Sequence, residues 1–261
     1  MKIAVCVKQV PAYSDGTMDP KTGVMLRSGL ESILNVYDLP AIETALRIKE
    51  EVGGTVDIFT MGPPKASAVI KEAYAMGADE GYLLSDRSFS GADVLATSYT
   101  LMQGIKSTKD YDLILCGKQT TDGDTAQVSG AIAKWLNVPH VNWVNKIIDV
   151  QKDSITVSQR MEEEIVIVKV PYPCLLSVER SIFIPRMPSL KLKIAARKKE
   201  MKVLSLTHME DENENNYGLA GSATKVEKIF PPTRTKQQEI IEKDSKEAAR
   251  SILEVINKIN K

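Results

Sequence analysis

The chain has 261 residues, 43% of them hydrophobic and 26% charged, and its 34 basic and 34 acidic side chains cancel. At roughly 100–200 residues per domain this is one large domain, or one with an appendage, whose core needs no disulfide or metal. The charge balance excludes a globally basic nucleic-acid binder, the apolar content excludes disorder throughout, and 5% aromatics argue against base-stacking platforms.

Cys6, Cys116 and Cys174 lie far apart with no CxxC, and histidine is limited to His140 and His208. No metal site is expected from such a set. The start M-K-I-A-V-C-V-K is too short an apolar run for a signal-peptide core or a membrane span, so the expected compartment is the reducing cytoplasm.

In chain order, residues 3–7 form a continuous apolar run, as in a strand buried on both faces. Residues 38–52 read as a helix with Asp38 as N-cap, Pro40 in the first turn, and Ile42, Ala45, Leu46 and Lys49 on one face; Gly53 and Gly54 end it. A strand over 56–61, a turn at Gly62-Pro63-Pro64, a helix over 65–76 and a short strand at 82–84 follow. Residues 91–106 read as helix and 111–116 as a buried strand. The polar loop 117–124 then leads to a helix over 125–137, closed by Val138-Pro139.

This alternation predicts an α/β fold, a doubly wound, mostly parallel, Rossmann-like sheet with helices on both faces. Ligands of such sheets sit beyond the carboxyl ends of the strands, where loops 8–13, 61–64 and 117–124 fall. After about residue 145 the pattern changes. Strands at 155–157 and 165–170 suggest an antiparallel hairpin, and 174–178 another strand. A basic stretch fills 186–202 and an acidic linker 210–216. An amphipathic helix over about 237–260 carries Ile241, Ala248, Ile252, Ile256 and Ile259 on one stripe, and it closes over its own sheet or packs on a partner. The expected division is 1–205 as the nucleotide-binding domain and 206–261 as a C-terminal linker arm and helix.

No Gly-x-Gly-x-x-Gly and no P-loop is present, and two histidines in undistinguished contexts supply no general base, so no catalytic side chain is assigned. The informative segment is G-K-Q-T-T-D-G-D-T-A-Q-V at 117–128. Gly117 and Gly123 permit close backbone approach, Asp124 or Thr125 can cap the helix, and the amides of Thr125, Ala126, Gln127 and Val128 then face a phosphate-sized anion, with Lys118 as a possible cation. Asp122 and Asp124 would repel a diphosphate unless they point away or are tied up. Simple capping and nucleotide binding both remain open on physics alone.

The chain resembles the beta subunits of electron transfer flavoproteins. The resemblance rests on V-C-V-K-Q-V at 5–10, N-V-Y-D at 35–38 before A-I-E-T-A-L-R-I-K-E, M-G-P-P at 61–64, A-M-G-A-D at 75–79, the 117–128 segment, and V-E-R-S-I-F-I-P-R-M-P-S-L-K at 178–191. It covers nearly the whole chain. Val36 stands where an Asn-Pro pair is frequent. The resemblance implies a heterodimer with a flavin-carrying alpha subunit and an adenine nucleotide between the strand ends. Adenosine would meet Cys6, Asn35, Val36, Tyr37, Asp38, Met61 and Gly62. The phosphates would meet Gly117, Lys118, Gln119, Thr120, Thr121, Asp122, Gly123, Asp124, Thr125, Ala126, Gln127 and Val128.

D-G-D-T-A-Q-V and the tail at 218–232 look like the electron-bifurcating branch, which holds FAD where the other branch holds AMP. That branch takes electrons from NADH and divides them between a flavin-dependent acyl-CoA or 2-hydroxyacid dehydrogenase and ferredoxin or flavodoxin. The resemblance places residues 185–199 as a recognition loop, with Leu190 as apolar anchor and Arg186, Lys191, Lys193 and Arg197 as rim charges; a solvated basic face is the alternative. A non-bifurcating carrier with structural AMP and a non-redox nucleotide-binding scaffold are the competing functions.

Overall fold

The computed structural model describes residues 1–12, 31–225 and 244–259. They belong to two units, the first holding the described residues up to 225 and the second those from 244 on. In the first, β1 (Lys2–Cys6) lies at the centre of the sheet, with Ile3, Ala4 and Val5 each 0% exposed. A strand covered on both faces favours apolar residues, and every buried position of this one, Ile3 to Cys6, is apolar. It pairs in parallel with β4 (Thr55–Met61) on one side and β6 (Leu113–Gly117) on the other. Beyond β4 lie β5 (Glu80–Leu84) and β11 (Lys202–Leu204); beyond β6 lie β10 (Cys174–Val178), β7 (His140–Val150), β8 (Ser154–Arg160) and β9 (Ile165–Pro171). The order is β11-β5-β4-β1-β6-β10-β7-β8-β9, parallel from β11 to β7 and antiparallel from β7 to β9. A separate antiparallel pair, β2 (Gln9–Pro11) and β3 (Ser32–Leu34), follows β1.

Helices cover both faces. Ile3, Val5 and Ile58 pack with Ile42 and Ala45 of α1 (Leu39–Val52) and Ile70 of α2 (Ser67–Met76). Ala4, Cys6 and Phe59 point the other way, toward Leu101 and Ile105 of α3 (Val94–Lys106) and Ile132 of α4 (Val128–Leu136). The period-2 alternation of the strands thus feeds two cores. α5 (Leu190–Lys198) packs on α2.

The expected α/β class and the antiparallel additions are what the molecule shows. β7, α5, β11 and the β2–β3 pair were not foreseen. β7 alternates poorly, because its pairing with β8 shifts register twice. α5 was hidden in the basic run. Residues 210–216 are no free linker. Asp211 accepts the Tyr99 hydroxyl at 2.7 Å and the Asn216 amide at 2.6 Å, and Leu206, Met209 and Tyr217 are buried beside Phe89, so the packed unit continues past 205.

The second unit contains α6 (Ser245–Ile259), whose first turn is closed by the Asp244 carboxylate accepting from the amides of Lys246 and Glu247 at 2.9 and 3.1 Å. Ile241 and the rest of 237–243, expected to begin this helix, lie outside the described residues. Among the described residues no helix is long and apolar enough to cross a membrane.

Gly81 marks the tightest helix–sheet approach, since a β-carbon there would stand 2.2 Å from Ile70 Cγ2 and 2.7 Å from the Tyr74 hydroxyl. Gly81→Ala is therefore expected to cost roughly 1–3 kcal/mol by overpacking, read as a lower urea midpoint at unchanged slope.

Candidate functional site

The chain runs outward from β1 to β4 and β5, then returns to place β6 on the other side of β1. The carboxyl ends of β1 and β6 therefore flank the switch point where such sheets open a crevice. Cys6 and Cys116 are register partners there, both buried. Contact with the Cys6 thiol, together with burial, holds the Cys116 thiol well above its ordinary pKa.

The segment 35–38 lies across these strand ends. Asn35 receives the β1 exit through its amide, which donates to Lys8 O at 2.9 Å, and its side-chain amide donates to Gln119 O at 2.9 Å. Asp38 then accepts the Lys8 amide at 2.8 Å and opens α1 with its own carbonyl. Asp38 does not cap α1 with its side chain, the role expected of it. Its carboxylate turns back to the crevice. Burial pushes its pKa up to about 7, against the opposing pull of the Lys8 amide, the Asn35 side chain and the Lys8 charge. Gly117 makes this closeness possible, because a β-carbon would stand 2.3 Å from Asp38 Oδ1 and 2.5 Å from Tyr37 O. Val36 and Tyr37 are half-buried, as are Met61 and Gly62 at the end of β4, where the Gly62 amide donates to Leu84 O at 3.0 Å.

The loop after β6 differs from expectation in three ways. First, α4 begins at Val128 with Gln127 as N-cap, so Thr125, Ala126 and Gln127 precede the helix, and the amides along its axis are those of Val128, Ser129 and Gly130. Two left-handed residues, Asp124 (φ 50°) and Ala126 (φ 53°), turn the chain there instead of a helical turn. Second, Asp124 does not cap; its carboxylate accepts the Gln119 amide at 2.6 Å. Third, Lys118 is committed elsewhere, to Glu179 at 2.9 Å and over the Trp143 ring at 4.9 Å. The cation at the crevice is Lys8, paired with Asp122 at 2.7 Å. Burial raises the Asp122 pKa, but Lys8 outweighs it and holds the carboxyl below its ordinary value. Both troublesome carboxylates are thus tied up, Asp122 by Lys8 and Asp124 by Gln119.

The residues fit an adenine nucleotide. Asn35 Oδ1 is buried without a donor, Gln127 gives the opening amides of α4 no side-chain cap, and a β-carbon at Gly123 would meet only Thr120 Oγ1, at 3.5 Å. Thr121 and Thr125 are exposed on the same loop. Sequence reasoning missed the Lys8–Asp122 pair, and the segment read as a loop over 8–13 contains β2 at Gln9–Pro11; Glu179 and Trp143 carried no signal.

Residues 185–199 lead from an arginine held by α1 into α5, which packs on α2. Leu190 is 74% exposed at the start of α5, whose N-cap Ser189 accepts the Leu192 amide at 3.1 Å. Lys191, Lys193 and Arg197 are exposed. Arg186 is not a free rim charge, because Glu43 and Glu50 of α1 hold it.

Unfolded, Asp38 loses its proton near 3.8, and folded near 7. Between those values the native state binds the extra proton, so this group's contribution to stability falls as pH rises through that window, by up to roughly 4 kcal/mol. Asp38→Asn cannot ionise. Its urea midpoint is expected to gain on the wild type between about pH 4 and about pH 7, and parallel pH profiles would refute the assignment.

A family model for the electron transfer flavoprotein domain matches residues 22–209. The electron transfer flavoprotein subunit beta of Thermoanaerobacterium thermosaccharolyticum is 41% identical over 258 residues, 98% of each chain. Subunit CarD of the caffeyl-CoA reductase-Etf complex of Acetobacterium woodii is 50% identical over 190 residues, 72% of each, and protein FixA of Azotobacter vinelandii is 40% identical over 248 residues, 93% of this chain and 88% of that one. With the family model matching most of its length and a relative matched nearly end to end, this chain belongs to the electron transfer flavoprotein family, as an electron-transfer subunit of the beta type.

Proposed function

We propose that this chain binds FAD at the β1/β6 crevice and works with an alpha subunit. The complex takes electrons from NADH and divides them between a flavin-dependent dehydrogenase, docked on 185–199, and ferredoxin or flavodoxin. The observation that carries the cofactor reading is the uncapped start of α4 facing a loop whose carboxylates are already partnered. The similarity to a subunit of a reductase-Etf complex supports the bifurcating form.

A bound FAD supplies the ring that accepts hydride and releases electrons singly. The protein's part is holding and orientation. The amides of Val128, Ser129 and Gly130, with the positive end of α4 behind them, would hold the cofactor's diphosphate. Lys8 adds charge, and because its pair with Asp122 is 44% and 33% exposed it costs little to re-partner. Asn35 Oδ1 is an acceptor awaiting an amino or hydroxyl donor of an adenosine. No side chain here moves a proton.

Extraction of cofactors from the purified complex is expected to yield two FAD per heterodimer. One FAD with one AMP would move the chain to the single-path carrier. Flavin that NADH does not reduce would leave only a scaffold role. Lys8→Glu sets a second carboxylate beside Asp122 and is expected to weaken nucleotide retention by this chain roughly tenfold, measured by dialysis and flavin absorbance, with the alpha-subunit flavin retained.

A further inference from the structure

Between β10 and the first residue of α5 the chain leaves three large apolar side chains bare. Ile184, Met187 and Leu190 are 88%, 87% and 74% exposed. A segment like this cannot be ordered by burying its own side chains, yet it lies between a buried Ile182 and an α5 held on α2 through the buried Ala196. Polar contacts at its root hold it. Glu43, in the middle of α1, is 1% exposed in its side chain. Its Oε2 accepts the Arg186 backbone amide at 3.1 Å and Nε at 2.8 Å, while Oε1 accepts Arg186 Nη2 at 3.2 Å and Arg47 Nε at 2.7 Å. Glu50, two turns further along α1, takes the other side of the guanidinium, with Nη2 donating at 3.1 Å. Arg47 in turn lies over the Phe183 ring, 4.5 Å from its centroid.

Main chain and side chain of Arg186 are thus held by one carboxylate. A buried carboxylate stripped of its partner is strongly unfavourable, so the folded α1 demands Arg186. Burial works to raise the Glu43 pKa, yet Arg186 and Arg47 hold it below the ordinary value, which is consistent with an intact pair. The planar fork of arginine suits two carboxylates at once, and a lysine cannot reproduce it.

We propose that the Glu43–Arg186–Glu50 clamp is a positioning device that fixes how Ile184, Met187 and Leu190 are presented to the dehydrogenase. The partner's identity rests on the docking reading given above; the order of the segment does not. A pre-set loop spares the complex the ordering cost that binding through mobile apolar side chains would carry.

The test uses the whole alpha–beta complex with Arg186→Ala, Arg186→Lys, Glu50→Gln and Leu190→Ala. Amide hydrogen exchange is followed over 184–193, and the reduction rate is measured against complex concentration with a purified flavin-dependent acyl-CoA dehydrogenase as probe. Arg186→Ala is expected to speed exchange over 184–193 by about tenfold, leaving β1 and β6 protected, and to raise the half-saturating concentration several-fold at constant maximal rate. Arg186→Lys restores part of both, Glu50→Gln loses less, and Leu190→Ala weakens docking with exchange unchanged. Unchanged exchange in Arg186→Ala overturns the clamp. Fast exchange with wild-type saturation, while Leu190→Ala saturates poorly, overturns its positioning role. Should the wild type not saturate with this dehydrogenase, the docking reading falls and the exchange data alone decide the clamp.

Discussion

The Asp38 carboxylate accepts the Lys8 amide at 2.8 Å, and the ends of three segments meet on that contact. β1 leaves the sheet at Lys8, α1 begins just after Asp38, and β6 ends against it at Gly117, whose missing side chain allows the approach. Together with the Asn35 amides, which donate to Lys8 O and Gln119 O, the contact ties the 35–38 segment across the strand ends. The fold provides the switch point through topology; this buried contact shapes it into a site. The cost is a carboxyl group kept out of water, visible in its raised pKa.

Electrostatics around the crevice are arranged locally. Two aspartates within three residues of a phosphate-type loop look self-defeating in the sequence. In the molecule one is paired to Lys8 across 114 positions of chain and the other to Gln119 five positions back. The first of these partners is invisible to any local pattern. Lys118 shows the reverse: adjacency suggested a role at the loop, but Glu179 and Trp143 draw it to the far side of β6.

Much of the fold was legible because its signals are periodic. β1 and β6 are buried on both faces and read as apolar strands, and α1 shows its stripe and its closing glycines. β7 was not legible, since two register shifts break its alternation, and α5 was masked because its exposed lysines and arginines resemble a solvated charge run. That segments 61–64 and 117–124 close the carboxyl ends of β4 and β6 followed from topology before any residue was weighed. The details of the site did not. The helix start slipped from 125 to 128 because Asp124 and Ala126 adopt left-handed backbone that residue type does not announce. Glu43 could have been noticed through its four-residue spacing to Arg47, but its tie to Arg186 spans 143 positions.

The paired sulfurs beneath the crevice have one more consequence. Thiol–disulfide exchange begins with a thiolate, and Cys116 is kept in its neutral form by its neighbour and its surroundings. A neutral thiol is a poor nucleophile, so the Cys116 sulfur, packed against its register partner where β1 and β6 end, serves there as compact apolar filler that resists mixed-disulfide formation.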